Sequence, residues 1–279
     1  MDSATKLPLV DAIAAYFSRT EETLANPYPI FHRLRAEAPV FRVRPGDPTG
    51  YYVLTRYADC AFVAGDPRFL SNRAKFASRQ TQRDLLPEPD RTYAKSVVRS
   101  TASWILNIDA PDHTRLRGLA NKAFTARTIT LMRERIQSLV DDLLDVVEPS
   151  GHLDVIADLA YPLPMIVIAE LLGVPVEDRD RIRQWSHDLA LTFDGLRDPG
   201  IVFRAFETFD AYLSGIIATR RVQPDNDLLS QFIVAEEQGD RLTREEMIAM
   251  CVLLLVAGHE TTTNLIGNGV LALLRHSEQ

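Results

Sequence analysis

An apolar helix interrupted by a polar block constrains this chain more than any other stretch of it. Met247 to Gly258 carries no charge, and His259-Glu260-Thr261-Thr262-Thr263-Asn264 follows at once. Apolar character then resumes through Leu265, Ile266, Val270, Leu271, Leu273 and Leu274. A run that is apolar all round predicts a long core helix. Its start is legible, because Thr243-Arg244-Glu245-Glu246 fits a capping box in which Thr243 and Glu246 satisfy each other's backbone donors. The charge-free run is about a dozen residues, which suits a buried helix and falls short of a membrane span.

Packing alone does not call for the polar block. A buried carboxylate is costly without partners, and β-branched threonines are weak helix formers. The block therefore points to a site that uses a carboxylic acid beside an alcohol; a satisfied structural Glu is the plain alternative. Thr261 follows Ala257 by one turn, so its hydroxyl is expected to bond back to that carbonyl and open the helix locally. Ala257 and Gly258 have almost no side chain, which leaves space for a large flat ligand against the backbone.

A second motif lies upstream, from Ile108 to Thr125. Asp109 and Pro111 are expected to start a helix as N-cap and early proline. His113 and Arg117 then fall at i and i+4 on one face. Two cations so placed suit a carboxylate, with Arg offering a bidentate fork; a solvated helix face is the alternative.

Ala257-Gly258-His259-Glu260-Thr261-Thr262 resembles the central-helix signature Ala/Gly-Gly-x-Asp/Glu-Thr-Thr/Ser of the cytochrome P-450 family. Asn264 to Asn268 resembles its soluble bacterial members, and Ile108 to Thr125 resembles the family's C-helix segment along its whole length. Asn26-Pro27-Tyr28-Pro29, Asp66 to Ser71 and Asp225 to Ser230 resemble further landmarks, so the likeness runs almost end to end. It implies a mainly α, cytochrome P-450-like helical fold with a small β-sheet near the N-terminus, truncated after the long central helix. Residues 1–279 are then a single incomplete domain. The Glu-x-x-Arg helix and the Phe-x-x-Gly-x-x-x-Cys-type loop of the family are absent from the sequence.

The resemblance also implies a function. The family consists of haem-dependent monooxygenases that hydroxylate or epoxidise a hydrophobic small molecule with O2 and two electrons. Glu260 and Thr261 would be catalytic, the acid relaying protons from solvent and the hydroxyl placing them. His113 and Arg117 would hold a propionate of haem b, with Ala257 and Gly258 against the ring. Leu253 and Val256 would face the substrate pocket, core packing being the alternative. Arg115, Arg117, Lys122 and Arg127 form a basic cluster suited to a ferredoxin-like electron donor. The stretch from Ser71 to Ser100 and the loop near Gly195 would form a substrate lid. Cys60, read as a helix packing position, and Cys251, inside the apolar run, lack the glycine-rich context of a haem-ligand loop. No metal ligand is assigned. Three readings of this chain stay open: a monooxygenase segment, a truncated non-catalytic product, and a non-redox helical small-molecule-binding module.

Composition narrows the class. At 279 residues and 46% hydrophobic the chain can bury a large core, and its net charge of −7 argues against broad nucleic-acid affinity. The apolar patch from Leu7 to Phe17 is broken by Asp11 and has no small-residue cleavage site, so neither a signal peptide nor a membrane anchor is expected. Two distant cysteines suggest no disulfide framework and a reducing cytoplasm. Ile136, Leu139, Val140, Leu143, Leu144 and Val147 repeat at helical spacing, and His152 to Ile156 reads as a short strand. Pro164 to Leu172 reads as a buried helix stopped by Gly173 and Pro175, ahead of amphipathic helices over Asp178 to Leu191 and Ile201 to Arg221. Near the N-terminus, Phe31 to Arg35 reads as helix, and Pro39 to Val43 and Tyr51 to Thr55 as strands.

Overall fold

A computed structural model describes residues 8–18, 20–43, 52–72, 87–124, 126–191, 198–237 and 242–279. Among the described residues the fold is mainly helical, with one two-stranded sheet. It divides into two compact units, the first made of residues 1–70 and 76–82, the second of 71–75 and 83–279.

The first unit holds helices α1 (Leu9–Phe17), α2 (Glu21–Ala25), α3 (Tyr28–Glu37) and α4 (Tyr57–Gly65). Strands β1 (Val40–Arg42) and β2 (Tyr52–Leu54) pair antiparallel, with Phe41 opposite Val53. Ala12, Ile13, Ile30, Leu34 and Val43 form a small core of their own. Cys60 is exposed on α4, not packed as the sequence suggested, and its thiol reaches back to the carbonyl of Leu54 at 3.6 Å. Helix α4 buries none of its residues, so it offers no core for Cys60 to enter.

The second unit contains α5 (Asp90–Ala102), α6 (Asp112–Ala123), α7 (Ala126–Val147), α8 (Pro162–Leu172), α9 (Arg179–Ala190), α10 (Pro199–Val222), α11 (Leu228–Glu237) and α12 (Arg244–Arg275). Each boundary has a local cause. Asp198 accepts a bond from Ile201 N at 3.0 Å and Pro199 opens α10. Gly173 ends α8 in the left-handed region at φ 78°, where a residue without Cβ is favoured. Val174 N then bonds to Ala169 O at 2.9 Å, satisfying one of the last carbonyls of α8.

The expected strand over His152 to Ile156 is not formed. Asp154 accepts bonds from Ile156 N and Ala157 N at 2.9 and 3.0 Å, and Val155–Ala160 coils into a π-helical segment. The β-branched pair Val155-Ile156 favours a strand, but a side-chain oxygen that captures two consecutive amides starts a helical turn instead.

The core of this unit runs along α8, α10 and the first half of α12. Met165, Phe209, Leu213, Met247 and Leu255 are fully buried, each contributing about 1.5–3 kcal/mol by removal from water. Helix α12 packs on α8 and on the π segment, while α10 packs on α5 and α9. By length and composition alone Val155–Leu172 and Arg244–Arg275 could cross a membrane, half of the apolar 18-residue window in each being buried in the protein. The 32 residues of α12 thus exceed the short charge-free run by which it was first judged.

Candidate functional site

The capping box forms as read. Thr243 Oγ1 accepts from Glu246 N at 3.2 Å, and Glu246 Oε2 accepts from Thr243 N at 2.9 Å. From there α12 continues without interruption to Arg275. Thr261 Oγ1 does donate to Ala257 O, at 2.8 Å, but the helix does not open around it. Thr262 makes the same bond to Gly258 O at 3.1 Å. Both hydroxyls share carbonyls with the helix ladder rather than displacing it.

Burial divides α12 in two. Its buried residues all lie between Met247 and His259. Beyond them Thr261, Asn264, Leu265 and Asn268 are exposed. Met250, Leu254, Ala257, Thr261, Leu265 and Asn268 follow one another at three or four residues, so they share one face of the helix. Its first part lines a cleft of about 180 Å³, where Met250, Leu253 and Leu254 lie among Ile105, Arg117, Ala120, Asn121 and Phe124. The site is therefore a stripe, walled near its start by α6 and open from Ala257 onward.

The sequence-derived residues divide around this stripe. Arg117 reaches the cleft, and neither its side chain nor that of the half-buried His113 makes a hydrogen bond or ion pair with another described residue. Leu253 lines the cleft, whereas Val256 packs in the core. Ala257 is exposed on the stripe. Gly258 serves helix packing instead: a Cβ there would meet Ile168 Cγ1 at 3.1 Å, so its bareness lets α8 approach. Glu260 has 38% of its side chain exposed and can exchange protons with solvent.

His259 is buried. Its ring N–H at Nδ1 donates to Leu255 O at 2.6 Å, and its Nε2 lies 3.8 Å from Glu260 Oε1. Burial pushes the imidazole below its ordinary pKa, against the opposing pull of the Leu255 carbonyl and the Glu260 charge. Tyr161 meets the ring edge-on at 6.3 Å.

Two expectations about α6 are corrected. Asp109 does not cap it: helix α6 starts at Asp112 after Pro111 without a side-chain cap, and Asp109 Oδ1 accepts instead from Ser71 N at 2.7 Å. Arg115 is not free to join a basic cluster. It grips Glu246 with both arms, at 2.6 and 3.1 Å, and also bonds to Asp112 Oδ1 at 3.2 Å. The side chains of Lys122 and Arg127 lie outside the described residues, as do residues 73–86 and 192–197 of the expected lid. Met250, Leu254, Asn121 and Phe124 were missed as cleft residues; the one-turn spacing of Met250 and Leu254 before Ala257 was the signal available.

The second cysteine is as expected. Cys251 is buried in α12, and burial pushes its thiol up to about 12, which keeps it protonated and inert. Among the described residues no group of three or more His, Cys, Asp and Glu side chains could hold a metal ion.

A family model supplies the remaining observation. The model of the cytochrome P-450 family matches residues 75–279, which include both the α6 motif and the stripe on α12. The chain belongs to the cytochrome P-450 family. It is similar to vitamin D(3) 25-hydroxylase of Pseudonocardia autotrophica, at 43% identity over 256 residues, 91% of this chain and 59% of that protein. Its likeness to the cytochrome P-450 monooxygenase PikC of Streptomyces venezuelae is 40% over 262 residues, 93% and 59% of the two chains. Among solved structures, P450BioI in complex with hexadec-9Z-enoic acid ligated acyl carrier protein superposes with a TM-score of 0.79 at 35% identity, over 93% of this chain and 64% of that one. The chain thus spans about three fifths of the length of the relatives it matches.

The family implies a haem cofactor, and the stripe fits one. Arg117 offers an unengaged guanidinium fork at the cleft, suited to a carboxylate. Ala257 presents a bare, open helix face where a flat ring needs space.

Proposed function

We propose that this chain contributes the haem- and oxygen-facing surface of a monooxygenase acting on a hydrophobic small molecule. The observation that carries the reading is the placing of Arg117 at the cleft lined by Met250 and Leu254, from which the α12 face continues through Ala257 and Thr261. Haem b, when bound, supplies oxygen activation at its iron with two electrons from a donor protein. Arg117, with His113 one turn before it on α6, would hold a propionate. The short Ala257 side chain leaves the ring room against the helix. Thr261 donates its own hydrogen to Ala257 O, which leaves its oxygen lone pairs turned toward the open side, ready to accept and pass a proton. Glu260, adjacent and half exposed, can collect that proton from solvent.

Leu253 and Leu254 make the neighbouring wall apolar, in keeping with a hydrophobic substrate, and Val256 would contribute through the core behind them. The relatives named above for vitamin D(3) hydroxylation and for a fatty-acyl carrier complex lend support to a hydrophobic substrate class. An acidic, ferredoxin-like electron donor would be met by basic residues close in sequence, Arg117, Lys122 and Arg127. Arg115 contributes little charge there, being paired to Glu246 and Asp112. The setting would be cytoplasmic.

The test is a carbon monoxide difference spectrum of the haem-loaded, reduced chain, followed by the Thr261→Ala variant. A thiolate-type Soret band supports a monooxygenase; its absence with haem bound supports the truncated, non-catalytic reading, and a specific ligand bound without haem supports the binding module. In a catalytically complete form, Thr261→Ala is expected to divert electrons from product to peroxide by about tenfold or more, the scale of a lost proton-transfer group.

A further inference from the structure

Glu246 serves two helices at once. Its Oε2 accepts from Thr243 N at 2.9 Å, closing the capping box of α12, and from Arg115 Nη1 at 3.1 Å. Its Oε1 accepts from Arg115 Nη2 at 2.6 Å. The two residues lie 131 positions apart, on α6 and at the start of α12. Only 15% of the Glu246 side chain and 31% of Arg115 are exposed. Burial alone would raise the Glu246 carboxyl, yet the Arg115 and Thr243 donors hold it below its ordinary value. Capping needs one side-chain oxygen, which a Gln would also supply. The second oxygen, turned to the guanidinium fork, is surplus to capping.

Beyond this pair the two helices are separated by the cleft, with Arg117, Ala120, Asn121 and Phe124 on one side and Met250, Leu253 and Leu254 on the other. Arg115 and Arg117 are carried on the same rigid helix. We propose that the Arg115–Glu246 pair is the positioning device that fixes the rotation of α6, and so sets where Arg117 stands over the α12 stripe. The inference rests on the reading of Arg117 as a carboxylate anchor. Two parallel bonds in a planar fork resist rotation, whereas a single bond or an apolar contact does not. The sensitivity is high. A rotation of about 20° moves an atom roughly 6 Å from a helix axis by roughly 2 Å, enough to lose a hydrogen bond.

The experiment compares binding of hemin and of hemin dimethyl ester, whose propionates carry no charge, by tryptophan quenching in the full chain. The wild type is expected to prefer hemin by about tenfold, the scale of one charge-assisted hydrogen bond. Arg117→Met removes the preference directly. Arg115→Met, which touches no porphyrin, is expected to remove most of it while affinity for the ester holds. Glu246→Gln keeps the helix cap and is expected to lose the preference as well, and Arg115→Lys to recover only part of it. If Arg115→Met keeps the wild-type preference, or weakens both porphyrins alike, the pair is structural only and the proposal fails.

A wild type with no preference would instead sink the Arg117 reading. In that case amide exchange decides the coupling by itself. Selective loss of protection over residues 117–124 in Arg115→Met upholds it, and unchanged protection ends it.

Discussion

Replacing Gly173 by Ala should be among the most damaging single-methyl changes available in this chain. Gly173 sits at φ 78°, and a Cβ there would lie 1.9 Å from Asp227 Oδ2 and 2.3 Å from Asp227 Cγ. Asp227 cannot easily yield. It is 5% exposed, its Oδ1 accepts from Ser230 N at 2.7 Å, and its Oδ2 accepts from Arg220 Nε at 2.6 Å. Arg220 in turn donates to Gly173 O at 3.0 Å, so the new methyl strikes a closed ring of bonds. The left-handed backbone costs an L-residue about 1–2 kcal/mol. Breaking a buried ion pair from one side costs about 3–5 kcal/mol. The sum, about 4–7 kcal/mol, is comparable to the whole stability of a typical domain, about 5–15 kcal/mol.

Gly151 provides the control. It has φ 62°, and a Cβ there would meet nothing within 4 Å. Gly151→Ala should therefore show the backbone cost alone, about 1–2 kcal/mol. Urea unfolding followed by circular dichroism measures both, with Asp227→Ala completing a double-mutant cycle. In the Asp227→Ala background, Gly173→Ala should cost much less than in the wild type, since the carboxylate at 1.9–2.3 Å is gone, but more than the Gly151 change, because the Cβ of residue 227 remains 2.8 Å away. Equal losses for the two glycine variants in the wild-type background would refute the collision, and with it the claim that Asp227 is immovable.

Other perturbations follow from the same geometry. The Glu246 carboxyl is held below its ordinary value, so its stabilising contribution is complete above the unfolded carboxylate range, about 4.3. That contribution is lost as pH falls through the lower folded value; melting temperatures of wild type and Glu246→Gln should converge as pH falls below about 4.3. His259 is likewise depressed, so the folded state loses stability as pH drops below about 6.5, and a His259→Gln variant should show a flatter pH profile there. At pH 8, iodoacetamide should label Cys60 in the native protein and spare Cys251, giving one adduct by mass spectrometry and two only after unfolding. Leu265 and Leu274 are 71% and 75% exposed on the far half of α12, so sedimentation should show concentration-dependent association that Leu265→Glu weakens.

What the sequence disclosed and what it hid differ by range of interaction. The capping box, the Thr261 back-bond and the stop at Gly173 are all set by residues within one helical turn of each other, and each could be read directly. Asp109, Gly258 and Arg115 could not, while at Asp154 two local signals conflict, the β-branched pair after it against its own capture of two amides. Asp109 carries the composition of an N-cap, but its carboxylate is taken by Ser71, 38 residues away. Gly258 looked like space for a ligand because the local pattern does not show Ile168 coming close from another helix. Arg115 looked like one cation among four, since nothing within 100 residues of it announces Glu246.

The Arg115 case bears most on function. In a linear reading, positive charges close in sequence add into a patch and suggest a docking face. In the fold, a guanidinium that already holds two carboxylates brings little net charge to a partner, while its neighbour two residues on remains unengaged at the cleft. The same short run of α6 therefore separates two jobs that look alike in sequence. Arg115 spends its bonds inside the protein, where geometry is fixed and water is scarce. In the proposed role, Arg117 keeps its bonds for a carboxylate that enters the stripe. An anion-binding arginine is only as well aimed as the helix that carries it, and under the proposed coupling that aim depends on a residue drawn from the capping box of the helix opposite.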